Sequence, residues 1–204
     1  MRHRKLVDAR GEVDPSRGAA GGRPPAWRID AAPDFDVVER EFGATRVLGM
    51  PHRGPLNLPA LSALTRKLAE AVRAAGVPTA GPVFTVLRSN PFETAPSRRS
   101  YLTCVPILGP ATPPEGLALD ALYGGLYVIA ACPGPLRGLD EAFGFLFGRF
   151  FAARGQELAR PEAPEIRLLY PVPPHDVPTE SALVTEVAVP VVITMRTDSM
   201  RNQK

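Results

Sequence analysis

The sequence predicts a mixed α+β fold built from two β-α-β-β units that pack about a pseudo-twofold axis with a cleft between them. Three observations predict it. Prolines number 24 in 204 residues, about twice the usual ~5%, so a long uninterrupted helical bundle is disfavoured, an interior proline costing ~3 kcal/mol in a helix. Only two stretches keep a helical apolar period, while several short stretches alternate or are rich in β-branched residues. The order of elements also repeats. Gly54-Pro55-Leu56 precedes a helix ending at Gly76, 22 residues after Gly54, and Gly134-Pro135-Leu136 precedes one ending at Gly155, 21 residues after Gly134. Val105-Pro106-Ile107 and Val189-Pro190-Val191 close the two copies, with 52 and 56 residues from the Gly-Pro glycine to the closing proline. Each copy is too small to bury its own sheet, so the two should pair.

Taken in order, residues 35–52 read as a strand bent at Gly43, with Val37, Glu39 and Glu41 alternating against Val38, Arg40 and Phe42. The turn Arg53-Gly54-Pro55-Leu56 follows, and Asn57 can cap the next helix by accepting from its first free amides. That helix sets Leu58, Leu61, Leu64, Leu68 and Val72 on one face, and Gly76 is placed to end it as C′. Strands are expected at Val83–Arg88 and Arg99–Leu108. After a proline-rich connection come a strand over 122–132, a helix over 139–154 with Leu139, Phe143, Leu146, Phe147 and Phe150 inward, and strands at Glu165–Tyr170 and Ala182–Ile193. Proline removes a ladder donor, so both Val-Pro sites should lie at edges, bulges or strand ends.

Charge divides by region. Residues 1–30 hold seven Lys/Arg and four Asp/Glu, which leaves 17 of each sign for the remaining 174. The net charge of +3 therefore belongs to a basic tail, 1–32, whose SRGAAGG and RPP stretches read as linker. A body of zero net charge lacks the clustered positive face that phosphate neutralisation needs, so no direct nucleic-acid partner is expected. The pair Arg98-Arg99 reads as a solvated hairpin edge. Trp27 is either incidental to the tail or folds back on the body. No stretch approaches ~18 uncharged apolar residues, and no apolar run follows the first basic residues as a secretory signal would require; a cytoplasmic location and no membrane partner are expected. Two cysteines and three histidines do not suggest a metal site or a cofactor, and Cys104 and Cys132, each in an apolar strand, read as small buried hydrophobes. His52 and His175 have no sequence-adjacent catalytic partners, so no catalytic residue is assigned.

The segments RVLGMPHRGPL at 46–56, YGGLYVIAACPGPL at 123–136, PEIRLLYP at 164–171 and TEVAVPVV at 185–192 resemble the GyrI-like small-molecule-binding family. That family includes the effector-binding domains of AraC-type and MerR-type transcription regulators and a free-standing gyrase-inhibitory protein. The resemblance covers residues 34–193, with halves at 34–110 and 117–193 and a C-terminal tail at 194–204. It implies helices on one side of the sheets, a ligand cleft on the other, and a functional glutamate at Glu165. No helix-turn-helix is expected within the proline- and glycine-rich residues 1–33. Where the family commonly carries an aromatic residue, this chain has Arg167, a departure that argues against the family's usual preference for flat cationic ligands.

Period-two reading places Ile166 and Leu168 on one strand face and Glu165, Arg167 and Leu169 on the other. If the aliphatic face meets the helices, Glu165 and Arg167 look into the cleft, where they receive a ligand or pair with each other; the alternative is an ordinary salt bridge on a solvated sheet face. Glu186 matches the family's Thr-Glu strand and is either a second cleft acid or an exposed strand residue. Tyr127 matches a tyrosine after the family's Gly-Gly pair, and Tyr101 and Tyr123 are further candidates for lining the cleft, since a phenol offers an apolar face and one polar atom. The expected function is a stand-alone domain that binds amphipathic or aromatic small molecules, serving sequestration or sensing with a protein partner encoded elsewhere. It is read as a binding protein rather than an enzyme. The alternatives are a hydrolase of cyclopropane-bearing DNA-alkylating compounds and a protein-interaction role like that of the gyrase inhibitor.

Overall fold

A computed structural model of the chain describes residues 35–154, 157–158 and 165–192. The expected tails at 1–32 and 194–204, Trp27 and the helix-ending Gly155 lie outside the described residues. The fold is α+β. Strands β1 (Val37–Phe42), β2 (Thr45–Arg53), β3 (Phe84–Leu87), β4 (Ser100–Ile107), β5 (Ala118–Leu122), β6 (Gly125–Pro133), β7 (Glu157–Leu158), β8 (Ile166–Leu169) and β9 (Val184–Val192) accompany helix α1 (Leu58–Ala74) and a second helical run. All pairings are antiparallel, in the order β1-β6-β9-β8-β3-β4-β2-β5, with β7 paired to β9. Exchanging β1, β2, β3 and β4 for β5, β6, β8 and β9 turns this order into its own reverse.

The expected single bent strand at 35–52 is two strands. β1 pairs with β6 and β2 with β4 and β5, so the break at Gly43-Ala44 carries the chain from one end of the strand order to the other. Six strand spacings in a flat sheet would be about 29 Å; the link from Phe42 to Thr45 reaches about 10 Å. The sheet must therefore curl. The return link, Tyr123-Gly124 between β5 and β6, crosses the first in contact: a Cβ on Gly124 would sit 2.6 Å from Ala44 N and 2.7 Å from the Phe42 carbonyl oxygen. Only glycine permits that approach. β5 has no counterpart among the expected strands.

The helices cover the outer face of the curl. Asn57 Oδ1 accepts from Ala60 N–H at 2.9 Å, capping α1 as expected. Leu58, Leu61, Thr65, Leu68 and Val72 of α1 are buried, and Gly76 ends the helix with φ +64°. The second run consists of α2 (Leu139–Phe145), one π-helical turn (Leu146–Phe150) and α3 (Phe151–Arg154). The wider turn slips the helical phase, so Phe147 and Phe150, expected inward, are half-buried, while Phe145 just before it is buried. Ile166, Leu168, Val187, Val189 and Val191 pack with this run, the face assigned to them from alternation.

Both Gly-Pro turns use left-handed glycines, φ +112° at Gly54 and +94° at Gly134, where a side chain would be strained. Pro106 and Pro190 lie beyond the last paired residues of the neighbouring β3 and β8, so neither interrupts a ladder on that side. Arg99 corrects the reading of a solvated edge. It is 8% exposed and donates to the Pro91 and Thr94 carbonyls and to Asp140 of α2, so it fastens the 89–98 loop to the second half. Cys104 and Cys132 are both buried, as expected, and burial raises both thiol pKa values.

Candidate functional site

Cross-strand partners share a face, and the registers assign the inner face of the curl. Phe84 and Val86 of β3, Leu102 and Cys104 of β4, Arg167 and Leu169 of β8, Glu186 and Ala188 of β9, Tyr127 and Ile129 of β6, and Arg40 and Phe42 of β1 all lie on it. A cavity of about 510 Å³ opens there between the halves. Its walls come from Thr45, the 80–84 segment and Pro106 of the first half, Leu169, Tyr170, Pro171 and Glu186 of the second, and Arg40 and Phe42 of β1; Arg167 forms part of its floor. A groove of similar volume beside α1, lined by Val72, Arg73 and His175 among others, lies on the outer face and gathers no charged side chains from both halves' strands.

Arg167 is 3% exposed. Its guanidinium lies 4.5 Å from the Tyr127 ring centroid and 5.3 Å from that of Phe42. Nη2 donates to the Tyr123 carbonyl at 2.5 Å and approaches Glu165 Oε2 at 3.5 Å, whereas Nε–H, also buried, has no partner among the described residues. A buried guanidinium is tolerable only when paired, and the Tyr123-Gly124 link supplies half of the pairing.

Glu165 is brought to Arg167 as the alternation suggested, but it does not line the cavity. It is 4% exposed, accepts from the Tyr123 backbone N–H at 3.1 Å and sits between Arg167 and Arg88, the latter at 3.9 Å. Arg88 also bonds Asp120 of β5. Arg88 and Asp120 were not singled out in sequence: Arg88 continues the inward alternation of Phe84 and Val86, but Asp120 belongs to the unanticipated strand. A separate depression of about 380 Å³ lies beyond them.

Glu186 does line the cavity, at the rim, with Oε2 3.7 Å from Arg40. Tyr127 is 1% exposed. It supports Arg167 from beneath, its ring packed edge-on to Phe42 at 5.1 Å. Burial raises the pKa of its phenol, which donates to the Tyr123 carbonyl at 3.4 Å. Tyr101 departs from expectation. Its register partners His52 and Leu87 put it on the outer face, where it stacks on His52 at 5.2 Å; the alternation of β4 was legible, but its phase depended on partners distant in sequence. Tyr123 is exposed on the link and contributes its backbone to the site.

The model of the GyrI-like small molecule binding domain matches residues 35–192. Among solved structures, the C-terminal domain of EcmrR is similar at 15% identity and TM-score 0.62, over 78% of this chain and 99% of that one. A hydrolase encoded by lin2189 from Listeria innocua shares 13% identity at TM-score 0.51, over 80% of this chain and 95% of that one. SAV2435 bound to tetraphenylphosphonium shares 10% at TM-score 0.51, over 78% and 94%. At these identities the likeness is one of fold. No curated protein sequence matches the chain.

Proposed function

The chain belongs to the GyrI-like small-molecule-binding domain family, and from that premise we propose that it holds an amphipathic or aromatic small molecule in the inner-face cavity between two pseudo-twofold-related units. The observation that carries this reading is the 510 Å³ cavity itself, of the size that accommodates drug-sized ligands, with apolar walls from Phe42, Phe84 and Leu169 and a few charged groups converging at its floor and rim. In this reading Arg167 and Glu186 meet the ligand, and Tyr127 and Glu165 hold Arg167 in place. Binding is better supported than turnover. Hydrolysis would need a carboxylate at liberty to activate water, and Glu165 is engaged by an amide and two guanidinium groups while Glu186 faces Arg40. The domain would then serve as a sensor or as a store for its ligand.

A thermal-shift screen of aromatic compounds followed by calorimetry tests it, with Phe84→Trp as the comparison. Intruding the larger indole into the cavity should weaken one-to-one binding severalfold while leaving the fold intact by circular dichroism. Ligands that bind the variant as well as wild type would place the site elsewhere.

A further inference from the structure

We infer that this cavity selects flat aromatic molecules carrying a negative charge, such as a carboxylate or phenolate, over hydrophobic cations, with Arg167 as the specificity-determining residue. The inference rests on the cleft-binding reading above and names its ligand class.

A hydrophobic cation is held by two things, a carboxylate able to face it and aromatic faces able to receive it. The Glu165 carboxylate and two of the aromatic faces are already taken here. The Glu165 carboxylate lies outside the cavity lining, with the Tyr123 N–H and the guanidinium groups of Arg167 and Arg88 around it. The Phe42 ring is approached by two resident cations, Arg167 at 5.3 Å and Arg40 at 5.8 Å, and the Tyr127 ring by Arg167 at 4.5 Å. A ligand cation would have to displace the protein's own.

The charge count of the lining points the same way. Two guanidinium groups, Arg40 and Arg167, stand against one carboxylate, Glu186, and Glu186 is opposed by Arg40. Arg167 has Nη2 committed to Tyr123 and Glu165, yet its buried Nε–H is unmatched among the described residues. A ligand anion above the guanidinium would supply the acceptor that the Nε–H lacks, and charge-assisted bonds to a planar guanidinium are among the strongest available to a small ligand. The ring system would lie along Phe84 and Leu169.

Two xanthene dyes of one scaffold, anionic fluorescein and cationic rhodamine 6G, test this by fluorescence anisotropy at pH 7.5. Wild type should bind fluorescein at least tenfold more tightly than rhodamine 6G. Arg167→Met should erase or reverse that preference, and Arg167→Lys, which keeps the charge but not the planar fork, should retain part of it. Glu186→Gln, at the rim where folding is not at risk, should strengthen fluorescein binding severalfold. A wild-type preference for rhodamine 6G, or a preference for fluorescein that Arg167→Met and Glu186→Gln leave unchanged, overturns the inference. If that happens while Phe84→Trp still weakens dye binding, the cleft reading stands alone. Dye affinity that Phe84→Trp leaves unchanged, or no binding of either dye, overturns both.

Discussion

At one end of the β3–β8 seam, Phe84 faces Leu169 and the curled sheet opens into a 510 Å³ cavity; at the other, Arg88 and Glu165 meet beneath the Tyr123-Gly124 link and that end is filled by charge. Val86 and Arg167 are paired midway between them. The strands and the inward face are the same, so the difference lies in the side chains and in the backbone link they recruit. A Phe–Leu end leaves apolar walls with no fixed partner. An Arg–Glu end cannot be left open, because the buried Glu165 and Arg167 charges without further hydrogen bonds would cost several kcal/mol each, and the chain meets that cost with the Tyr123 backbone and, through Arg88, Asp120. The fold thus offers two ends for binding, and the sequence has closed one of them.

The sharpest test of this contrast removes the residue in the middle. Arg167→Met leaves Glu165 buried with only the more distant Arg88, and breaking a buried pair on one side costs about 3–5 kcal/mol. Urea denaturation should show a loss of that size, and Glu165→Gln added to Arg167→Met should recover much of it. If Arg167→Met alone costs less than about 1 kcal/mol, the charged end is not the structural plug described here.

Next in size is the glycine where the links cross. Gly124→Ala places a Cβ against the backbone of Phe42, Gly43 and Ala44, atoms that cannot rotate away as a side chain would, and overpacking of this kind costs about 1–3 kcal/mol. The damage should concentrate at the closed end, since Tyr123 supplies the amide and carbonyl that hold Glu165 and Arg167. Hydrogen exchange should therefore show the Tyr123 amide losing protection before the amides of Phe84 and Leu169.

How much of this was legible depends on the range of the interaction. Helix α1, its Asn57 cap and Gly76 stop, and the split of Ile166 and Leu168 from Glu165 and Arg167 all follow from local spacing. Three features did not. β5, Ala118-Leu119-Asp120-Ala121-Leu122, sits behind a proline-rich connection and gains its strand character from pairing with β2, a tertiary effect that propensity does not carry. The parting of β1 from β2 looks, in sequence, like a kink at Gly43; only the pairing with β6 makes it a crossover. The engagement of Glu165 by Arg88 joins residues from different halves, so alternation could turn Glu165 inward but could not say what would meet it. Tyr101 shows the same limit from the other side: alternation without a phase.

The outer partners of the plug should matter less. Arg88 and Asp120 are about a quarter and two-fifths exposed, and pairs of that exposure couple by about 0.2–1 kcal/mol. A double-mutant cycle of Arg88→Leu and Asp120→Leu should fall in that range, well below the Arg167–Glu165 cycle. Equal values would erase the distinction between a buried core pair and its rim.

The smallest effect expected joins the two ends from behind. On the outer face His52 Nε2 meets Thr103 Oγ1 at 3.0 Å, Thr103 meets Thr85 at 2.8 Å, and Tyr170 O–H donates to Thr85 at 3.0 Å. Tyr170 lines the open cavity and His52 the depression beyond Arg88, so the chain of hydroxyls spans the seam. Burial lowers the His52 pKa below 6.5. The unfolded chain then takes up the proton first as pH falls, so stability is full above pH 6.5 and declines as pH drops from there through the folded value. Denaturation at pH 7.5 and 5.5 should show a loss for wild type that is smaller in His52→Asn. The two ends should nevertheless act independently: at pH 7.5, where His52 is neutral, His52→Asn should leave fluorescein affinity within about twofold, a margin of roughly 0.4 kcal/mol. A larger change would mean that the hydroxyl chain transmits strain to the cavity, and the open end would then owe its shape to the closed one.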